Sequence, residues 1–188
     1  MRKTGFALSY FHLFHIERDN NAGGIIMKIV IKEMKTDDEI LGKAYVHWKS
    51  WQEAYKGIVH QEYLDKLTLD KCIEIAYKIS NNTLIAKLGD NIIGFSTYGK
   101  CRDLESSHIG EVMAIYVLSE YYSRGVGFQL MSESLKKLND YNKIIVWVLK
   151  DNERAIHFYE KFGFKFDGKE KTLKLVTDIV ERRMILDL

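Results

Sequence analysis

A glycine-rich segment with one basic residue, Tyr122–Phe128, has the composition of a phosphate-binding loop. Gly125 and Gly127 allow tight turns that bring backbone N–H groups close to an anion, and Arg124 adds a charged donor. The segment lacks the Gly-Lys-Ser/Thr of a nucleotide P-loop, and Leu130 stands where a dinucleotide fingerprint has its third glycine. Taken alone, a Gly-x-Gly before a helix is more often only a turn, so this segment needs support from other residues.

Asn152 and Tyr159 form a second polar pair further along the chain. Asn152 follows the apolar run that ends at Leu149 after two charged residues, and it can cap the helix that begins there. Tyr159 comes about two turns later, because ~3.6 residues make one turn, so both side chains lie roughly on one helix face. Each residue also has a purely structural explanation, Asn152 as a plain cap and Tyr159 as a core aromatic with a satisfied hydroxyl.

The elements that must position these residues follow from the hydrophobic periodicity. Lys28–Glu33 alternates like a strand, and Thr36 opens a long helix to Gly57, with Glu39 completing a capping box. The same pattern predicts strands over Thr83–Leu88, Ile92–Lys100, Ile109–Val117, Lys143–Leu149, Phe164–Phe166 and Glu181–Leu186, and helices over His60–Leu67, Leu69–Ile79, Val126–Leu138 and Asn152–Phe162.

These elements predict one α/β domain with a mixed sheet. Gly89-Asp90-Asn91 is a good hairpin turn, so strands 1 to 4 are expected to be antiparallel. The strand–helix–strand unit from Ile109 to Leu149 predicts a parallel pair of strands 4 and 5 with a right-handed crossover. Lys143–Leu149 is almost entirely apolar, which favours a central strand covered on both faces.

Composition excludes several classes of protein. The 188 residues carry a net charge of +2, which does not suggest nucleic-acid binding through bulk electrostatics. The two cysteines, Cys72 and Cys101, provide neither a disulfide scaffold nor a cysteine-based zinc site, and the simplest expectation is a reducing, cytoplasmic location. The six histidines show no metal-ligand spacing, and no apolar run reaches the roughly 20 residues of a membrane span. We therefore expect no metal, nucleic-acid or membrane partner.

Residues 1–26 differ from the rest of the chain. Aromatic residues crowd this segment, Asn20–Gly24 has the composition of a linker, and Met27 precedes the first strand. One explanation is a leader added upstream of the true start. The other is an N-terminal arm that docks on the domain or, as a further alternative, contacts a second subunit of a homodimer.

In this order, the two polar segments resemble the GNAT family, N-acetyltransferases that use acetyl-coenzyme A. The resemblance covers Met27–Leu188 and is most specific in the strand Val112–Val117, the loop Tyr122–Gly127 and the stretch Asn152–Phe164, which reads Asn-x-x-Ala-x-x-Phe-Tyr-x-x-x-Gly-Phe. Trp48–Gly57 also looks like the first helix and following loop of many bacterial members. The resemblance implies an acyl-CoA N-acyltransferase domain over residues 27–188, with a mostly antiparallel sheet, one parallel pair between strands 4 and 5, and helices on both faces.

The resemblance also implies roles for individual residues. Tyr159 would be the general acid at the thioester sulfur. The residues that would bind acetyl-CoA, by pairing with the pantetheine arm or holding the pyrophosphate, are Ile115, Tyr116, Val117, Tyr122, Ser123, Arg124, Gly125, Val126, Gly127, Phe128 and Asn152. The family's loop begins with Gln or Arg, whereas this chain has Tyr122, so the amide or guanidinium donor usually found there is absent from this position.

The acceptor side requires a base, because an alkylammonium with a pKa near ~10.4 is mostly charged at pH 7. Glu111 is our candidate, since a Glu on this strand fills the role through water in many relatives. A solvated carboxylate at the strand end is an equally good explanation. A backbone N–H near Ile115 would stabilise the oxyanion.

Aromatic residues on the first helix could form the wall of an acceptor pocket. His47, Trp51 and Tyr55 share helical spacing, and aromatic faces suit a cationic amine. The competing explanation is a core stripe, which is the more common meaning of such spacing.

The sequence thus predicts transfer of an acetyl group from acetyl-CoA to a primary amine by direct attack on the thioester. The acceptor could be a polyamine or other small amine, an amino acid or antibiotic, or a protein amine. One alternative is a non-catalytic acyl-CoA sensor of the same fold, although such a sensor would need neither Tyr159 nor Glu111. Another is an interaction protein built around residues 1–26.

Overall fold

Seven strands form one sheet in the order β1-β2-β3-β4-β5-β7-β6. The computed structural model describes residues 28–102 and 108–188, so the predicted arm, residues 1–26, lies outside the described residues. The strands are β1 (Ile29–Glu33), β2 (Thr83–Leu88), β3 (Asn91–Lys100), β4 (Ile109–Val117), β5 (Lys143–Leu149), β6 (Lys165–Lys174) and β7 (Asp178–Asp187). The helices are α1 (Asp37–Ala54), α2 (Gln61–Lys66), α3 (Leu69–Lys78), α4 (Val126–Lys137) and α5 (Glu153–Glu160).

The pairing of the strands confirms the predicted mixed sheet. β4 and β5 pair in parallel, and the other neighbouring strands pair antiparallel. β5 lies between β4 and β7 and is almost wholly buried, as its apolar sequence predicts. The capping box at the start of α1 is also present, with the Thr36 hydroxyl accepting from the Glu39 N–H at 3.3 Å.

The alternation of side chains along β3 shows that helices cover both faces of the sheet. Phe95 lies 6.1 Å from the His47 ring of α1, measured between ring centroids. The next residue, Ser96, accepts a hydrogen bond from the Ser134 hydroxyl of α4 at 2.8 Å. Because consecutive residues of a strand point to opposite faces, α1 and α4 lie on opposite sides of the sheet.

The last two strands are longer than the sequence predicted, since Phe164–Phe166 and Glu181–Leu186 cover only parts of β6 and β7. Their outer halves contain charged pairs beside the single apolar pair of Leu173 and Ile179. The Arg182 Nε lies 3.3 Å from the Glu170 carboxylate, and the Lys171 Nζ lies 3.1 Å from the Glu181 carboxylate. A strand with as few apolar residues as β6 has no regular hydrophobic period from which it could be predicted. Charges on the edge strand β6 also discourage pairing with other chains.

The described helices include none that is both long enough and apolar enough to cross a lipid bilayer.

Candidate active site

β4 and β5 separate after a short stretch of pairing, and this opens a cleft in the sheet. The parallel ladder joins Ile109–Glu111 to the first residues of β5 and extends no further, whereas β4 pairs with β3 up to Val117. The register of β3 and β4 shifts near Met113, which is the extra residue of a β-bulge. A bulge bends and twists its strand, so β4 turns away from β5 at this point. The backbone from Val112 to Val117 therefore faces the cleft as an open strand edge, which could pair with an extended ligand.

Three residues of the predicted co-substrate site lie on this open edge. Ile115, Tyr116 and Val117 pair on their other side with Ser96, Phe95 and Gly94 of β3. The prediction concerned their main chain, and the observed register leaves the cleft side of this segment without a strand neighbour in the described sheet.

The glycine-rich loop ends in the first turn of α4. Gly125 caps the helix with φ +76°, and Ser123 has φ +60°, so the chain twice adopts the left-handed conformation before the helix. The first helical hydrogen bond is donated by the Gln129 N–H to the Gly125 carbonyl at 3.0 Å. The N–H groups of Val126, Gly127 and Phe128 therefore have no helical partner, and the first turn holds no acidic residue. This end of α4 can bind an anion.

α5 packs against the same loop. A Cβ added to Gly127 would lie 3.4 Å from the ring of Phe158, so the two helices approach closely there. The guanidinium carbon of Arg154 lies 3.1 Å from the centroid of the Tyr122 ring. Arg124 lies beside the neighbouring Tyr121 ring at 5.5 Å. Two arginine side chains thus lie beside the glycine-rich loop. One of them, Arg154, comes from α5, and the sequence predicts no binding role for it.

Asn152 caps α5, as predicted. Its Oδ1 accepts from the Ala155 N–H at 3.1 Å. The cap uses only the carbonyl oxygen, so the amide hydrogens can still donate to a ligand. A plain cap and a co-substrate donor are therefore compatible roles for this residue.

Tyr159 is buried on α5, with 8% of its surface exposed. Its ring packs against Phe158 and Phe164, with centroids 5.5 and 5.9 Å away. Burial, followed by the nearby Tyr55 and Glu181, raises the pKa of Tyr159 well above its usual value. The hydroxyl therefore keeps its proton at physiological pH.

The three predicted acceptor residues come together around the side chain of Tyr116. The Trp51 indole N–H donates to the Tyr116 hydroxyl at 3.0 Å, and the Tyr55 hydroxyl lies 3.1 Å from the same oxygen. The His47 ring lies 5.6 Å from the Tyr116 ring. We call these four residues the aromatic cluster.

The aromatic cluster is uncharged at neutral pH. Burial raises the pKa of Tyr116 to about 12 and that of Tyr55 well above its ordinary value. Burial, and then the Lys43 ammonium, lowers the pKa of His47 to about 4. The cluster can offer hydroxyl groups and ring faces to an acceptor, but it holds no negative charge of its own.

Glu111, the predicted base, lies at the end of the β4–β5 ladder, where its side chain is 2% exposed. Its carboxylate accepts from the backbone N–H of Arg102 at 3.1 Å and from the Arg102 Nε at 3.1 and 3.2 Å. The Arg102 Nη2 donates to it as well. The carboxylate is neither solvated nor free. Its role as a base stays a prediction.

Sequence reasoning missed three side chains near the cleft. They are the Tyr116 ring, whose main chain alone has a predicted role, Arg154, which has the position of an ordinary helix residue, and Glu181, which the sequence marks only as the start of a short closing strand. No local motif marks any of them, since tertiary packing alone brings them to the cleft. Across the part of the chain that the structure describes, no group of three or more His, Cys, Asp or Glu side chains could hold a metal ion.

Comparisons with known proteins agree with this geometry. Residues 45–164 match the model of the Acetyltransferase (GNAT) family. An uncharacterised N-acetyltransferase of Bacillus subtilis, YuaI, is 29% identical over 140 residues, which cover 72% of this chain and 79% of that protein. The crystal structure of PH1933 from Pyrococcus horikoshii covers 86% of this chain and 99% of its own, with 27% identity and a TM-score of 0.65. The PaiA N-acetyltransferase of Thermoplasma acidophilum, solved with coenzyme A, has the same fold, with 21% identity, a TM-score of 0.65, and coverage of 86% of this chain and 100% of its own.

Proposed function

Since the chain belongs to the acetyltransferase (GNAT) family, we propose that it transfers an acetyl group from acetyl-CoA to a primary amine. The observation that carries the proposal is the cleft itself. An open strand edge from Val112 to Val117 ends beside a helix N-terminus suited to phosphate, and α5, which carries Tyr159, packs against the same place. A Cβ added to Gly127 would lie 3.4 Å from Phe158 and 3.9 Å from Val117. The strand edge, the helix N-terminus and the hydroxyl of Tyr159 are the three parts that an extended, phosphorylated thioester requires.

The co-substrate side fits coenzyme A by chemistry as well as by shape. The peptide groups of Ile115, Tyr116 and Val117 would pair with the two amides of pantetheine, as an added strand does. The N–H groups from Arg124 to Phe128 would hold the pyrophosphate, and the Tyr122–Ser123 turn leads the chain into that position. Asn152 would donate to the pantetheine region with the amide hydrogens that its cap leaves over.

In the transfer, the amine nitrogen attacks the thioester carbonyl carbon, the N–C bond forms and the C–S bond breaks. The sulfur leaves with a proton donated through Tyr159. Because burial raises the pKa of Tyr159, the O–H is always present to stabilise the developing thiolate. A thiol has a pKa near ~8.5, so thiolate is already a fair leaving group and Tyr159 assists without being indispensable.

The carbonyl oxygen gains negative charge in the same step. A backbone N–H of β4 near Ile115 would donate to it, since this segment faces the cleft. Glu111 would serve as the base only if Arg102 releases one carboxylate oxygen to a relay water.

Release of thiol from acetyl-CoA across a panel of polyamines, amino acids, aminoglycosides and short peptides tests the proposal. A blank without acceptor is needed because Cys72 and Cys101 are free thiols, although both are buried. We expect amine-dependent release with one class of acceptor. Tight binding of acetyl-CoA by calorimetry with no release for any amine would contradict the proposal and favour an acyl-CoA sensor.

A further inference from the structure

We infer that Glu181 on β7 is the carboxylate that binds the ammonium group of the acceptor beside Tyr159 and takes its proton. The inference rests on the proposed function and deepens it. The aromatic cluster holds no negative charge, and Glu181 would supply one on the acceptor side. The substrate class would then be a cationic alkylamine.

The strand register brings Glu181 to the acceptor side. Glu181 stands directly opposite Leu149 of β5 and Lys171 of β6. Residues directly opposite in an antiparallel pair share a face of the sheet. Leu149 is buried in a cluster with Trp51 and Tyr55 from the end of α1. The carboxylate of Glu181 therefore lies on the face that the aromatic cluster covers.

The Glu181 charge reaches all three tyrosines that surround the cleft. After burial, which is the largest cause in each case, its carboxylate contributes to raising the pKa of Tyr55, Tyr116 and Tyr159. These residues come from the end of α1, from β4 and from α5. All three tyrosines therefore lie within range of the Glu181 charge.

Glu181 retains the capacity to bind a ligand. Among the described residues, Lys171 alone forms an ion pair with it, at 3.1 Å through Oε2, and the Glu181 side chain is 19% exposed. Lys171 itself is 37% exposed and lies 4.0 Å above the Trp147 ring. The second carboxylate oxygen, Oε1, can accept from an ammonium group that enters the cleft.

Glu111 offers a contrast, since its carboxylate is already bound by the guanidinium and the backbone N–H of Arg102. Its side chain is 2% exposed, against 19% for Glu181. A carboxylate whose acceptor positions are all engaged has no position left for a further donor. Of the two acidic residues, Glu181 is the one that an incoming cation can reach.

The protons balance as follows. The bound ammonium gives one proton to Glu181, which passes it to solvent, and the neutral amine attacks the thioester carbonyl. The nitrogen loses a second proton as the N–C bond forms, and this proton balances the one that the departing sulfur takes through Tyr159. The net products are an amide, free CoA thiol and one proton.

The test compares Glu181→Gln, Glu181→Asp and Glu170→Gln with the wild type, with KM measured separately for acetyl-CoA and for the best amine of the panel. Glu170 also pairs across β6 and β7, with Arg182 at 3.3 Å, but on the other face of the hairpin, so Glu170→Gln is the matched control. For Glu181→Gln we expect a rise of at least ~10-fold in the amine KM, as for loss of a charged hydrogen bond, with the acetyl-CoA KM unchanged. Glu181→Asp should recover part of the loss.

A binding measurement separates this inference from the proposed function. Spermidine, as a probe alkylammonium, is titrated by NMR into the wild type and into Glu181→Gln with CoA present. Binding that depends on Glu181 without any thiol release would support this inference while the proposed function fails. Equal spermidine binding by both proteins, a rise in both KM values together, or an amine KM that responds to Glu111→Gln and not to Glu181→Gln would overturn it.

Discussion

In the proposed function, the groups that would face an acyl-CoA on the co-substrate side of the cleft are main-chain N–H and C=O groups of β4 and of the first turn of α4. On the acceptor side they are side chains: the aromatic cluster and Glu181. A main-chain surface depends on the path of the backbone, and most side chains along it can change without loss. A side-chain surface changes with each substitution. On this proposal the fold would set the co-substrate, and a few side chains would set the acceptor.

Different kinetic constants should report on the two sides of the cleft. Substitutions on the acceptor side should change the KM for the amine. Substitutions in the glycine-rich loop before α4 should change the KM for acetyl-CoA. Tyr159 lies where the two sides meet, so it should act on kcat. Each prediction below tests one part of this division.

The largest effect is expected on folding stability at acid pH, because the buried, uncharged His47 of the aromatic cluster then opposes protonation. The pKa of His47 is about 4 in the folded protein, below the ordinary 6.5, because burial and Lys43 oppose its charge. Between pH 6.5 and pH 4 the unfolded chain binds a proton that the folded chain does not, so stability falls as the pH falls. The loss should reach about 3 kcal/mol, at ~1.36 kcal/mol per pKa unit.

Urea unfolding at pH 7 and pH 4 measures this loss. His47→Gln should show a smaller difference between the two pH values than the wild type. The control is His157→Gln, because His157 is exposed on α5. An identical pH dependence for wild type and His47→Gln would contradict the burial of a neutral imidazole.

Tyr159→Phe should lower kcat by ~10²-fold, the usual contribution of a general acid, with both KM values close to those of the wild type. Tyr98→Phe is the matched control, because Tyr98 is also 8% exposed but lies on β3, in the part that pairs with the start of β4. Initial rates of thiol release at saturating concentrations of both substrates measure kcat. An unchanged kcat for Tyr159→Phe would remove this hydroxyl from the mechanism.

The same division explains what could be predicted from the sequence. The β4–loop–α4 unit and the Asn152 cap are contiguous, and their glycines and polar residues stand at fixed spacing, so local rules indicated them. The mixed sheet followed from the same periodicity. Glu181 and the Tyr116 side chain are brought to the cleft by strand register, over separations that no local pattern covers. Glu111 lies on β4, where the sequence predicts it, but the sequence does not reveal that its carboxylate is paired with Arg102.

Gly125→Ala should raise the acetyl-CoA KM by ~10-fold without changing the amine KM. Gly125 has φ +76°, and a side chain in the left-handed region costs ~1 kcal/mol, so the loop would shift its N–H groups to relieve the strain. Gly168→Ala is the control, since Gly168 has φ +87° with nothing within 4 Å of an added Cβ. Both variants should lose similar thermal stability. If Gly168→Ala altered the acetyl-CoA KM equally, the loop would have no special part in binding.

Arg154→Ala should give the smallest change, a rise of about 5-fold or less in the acetyl-CoA KM, as suits a solvent-exposed charge. The loop has Tyr122 at the position where the family has Gln or Arg, and the Arg154 guanidinium stacks on that ring. We expect Arg154 to supply from α5 the donor that the loop lacks, with Tyr122 holding it in place. S-acetylpantetheine, which carries no phosphate, distinguishes this role from a structural one. Its KM should be the same for wild type and Arg154→Ala, whereas an equal rise for both thioesters would mean that the stack only holds α5 against the loop.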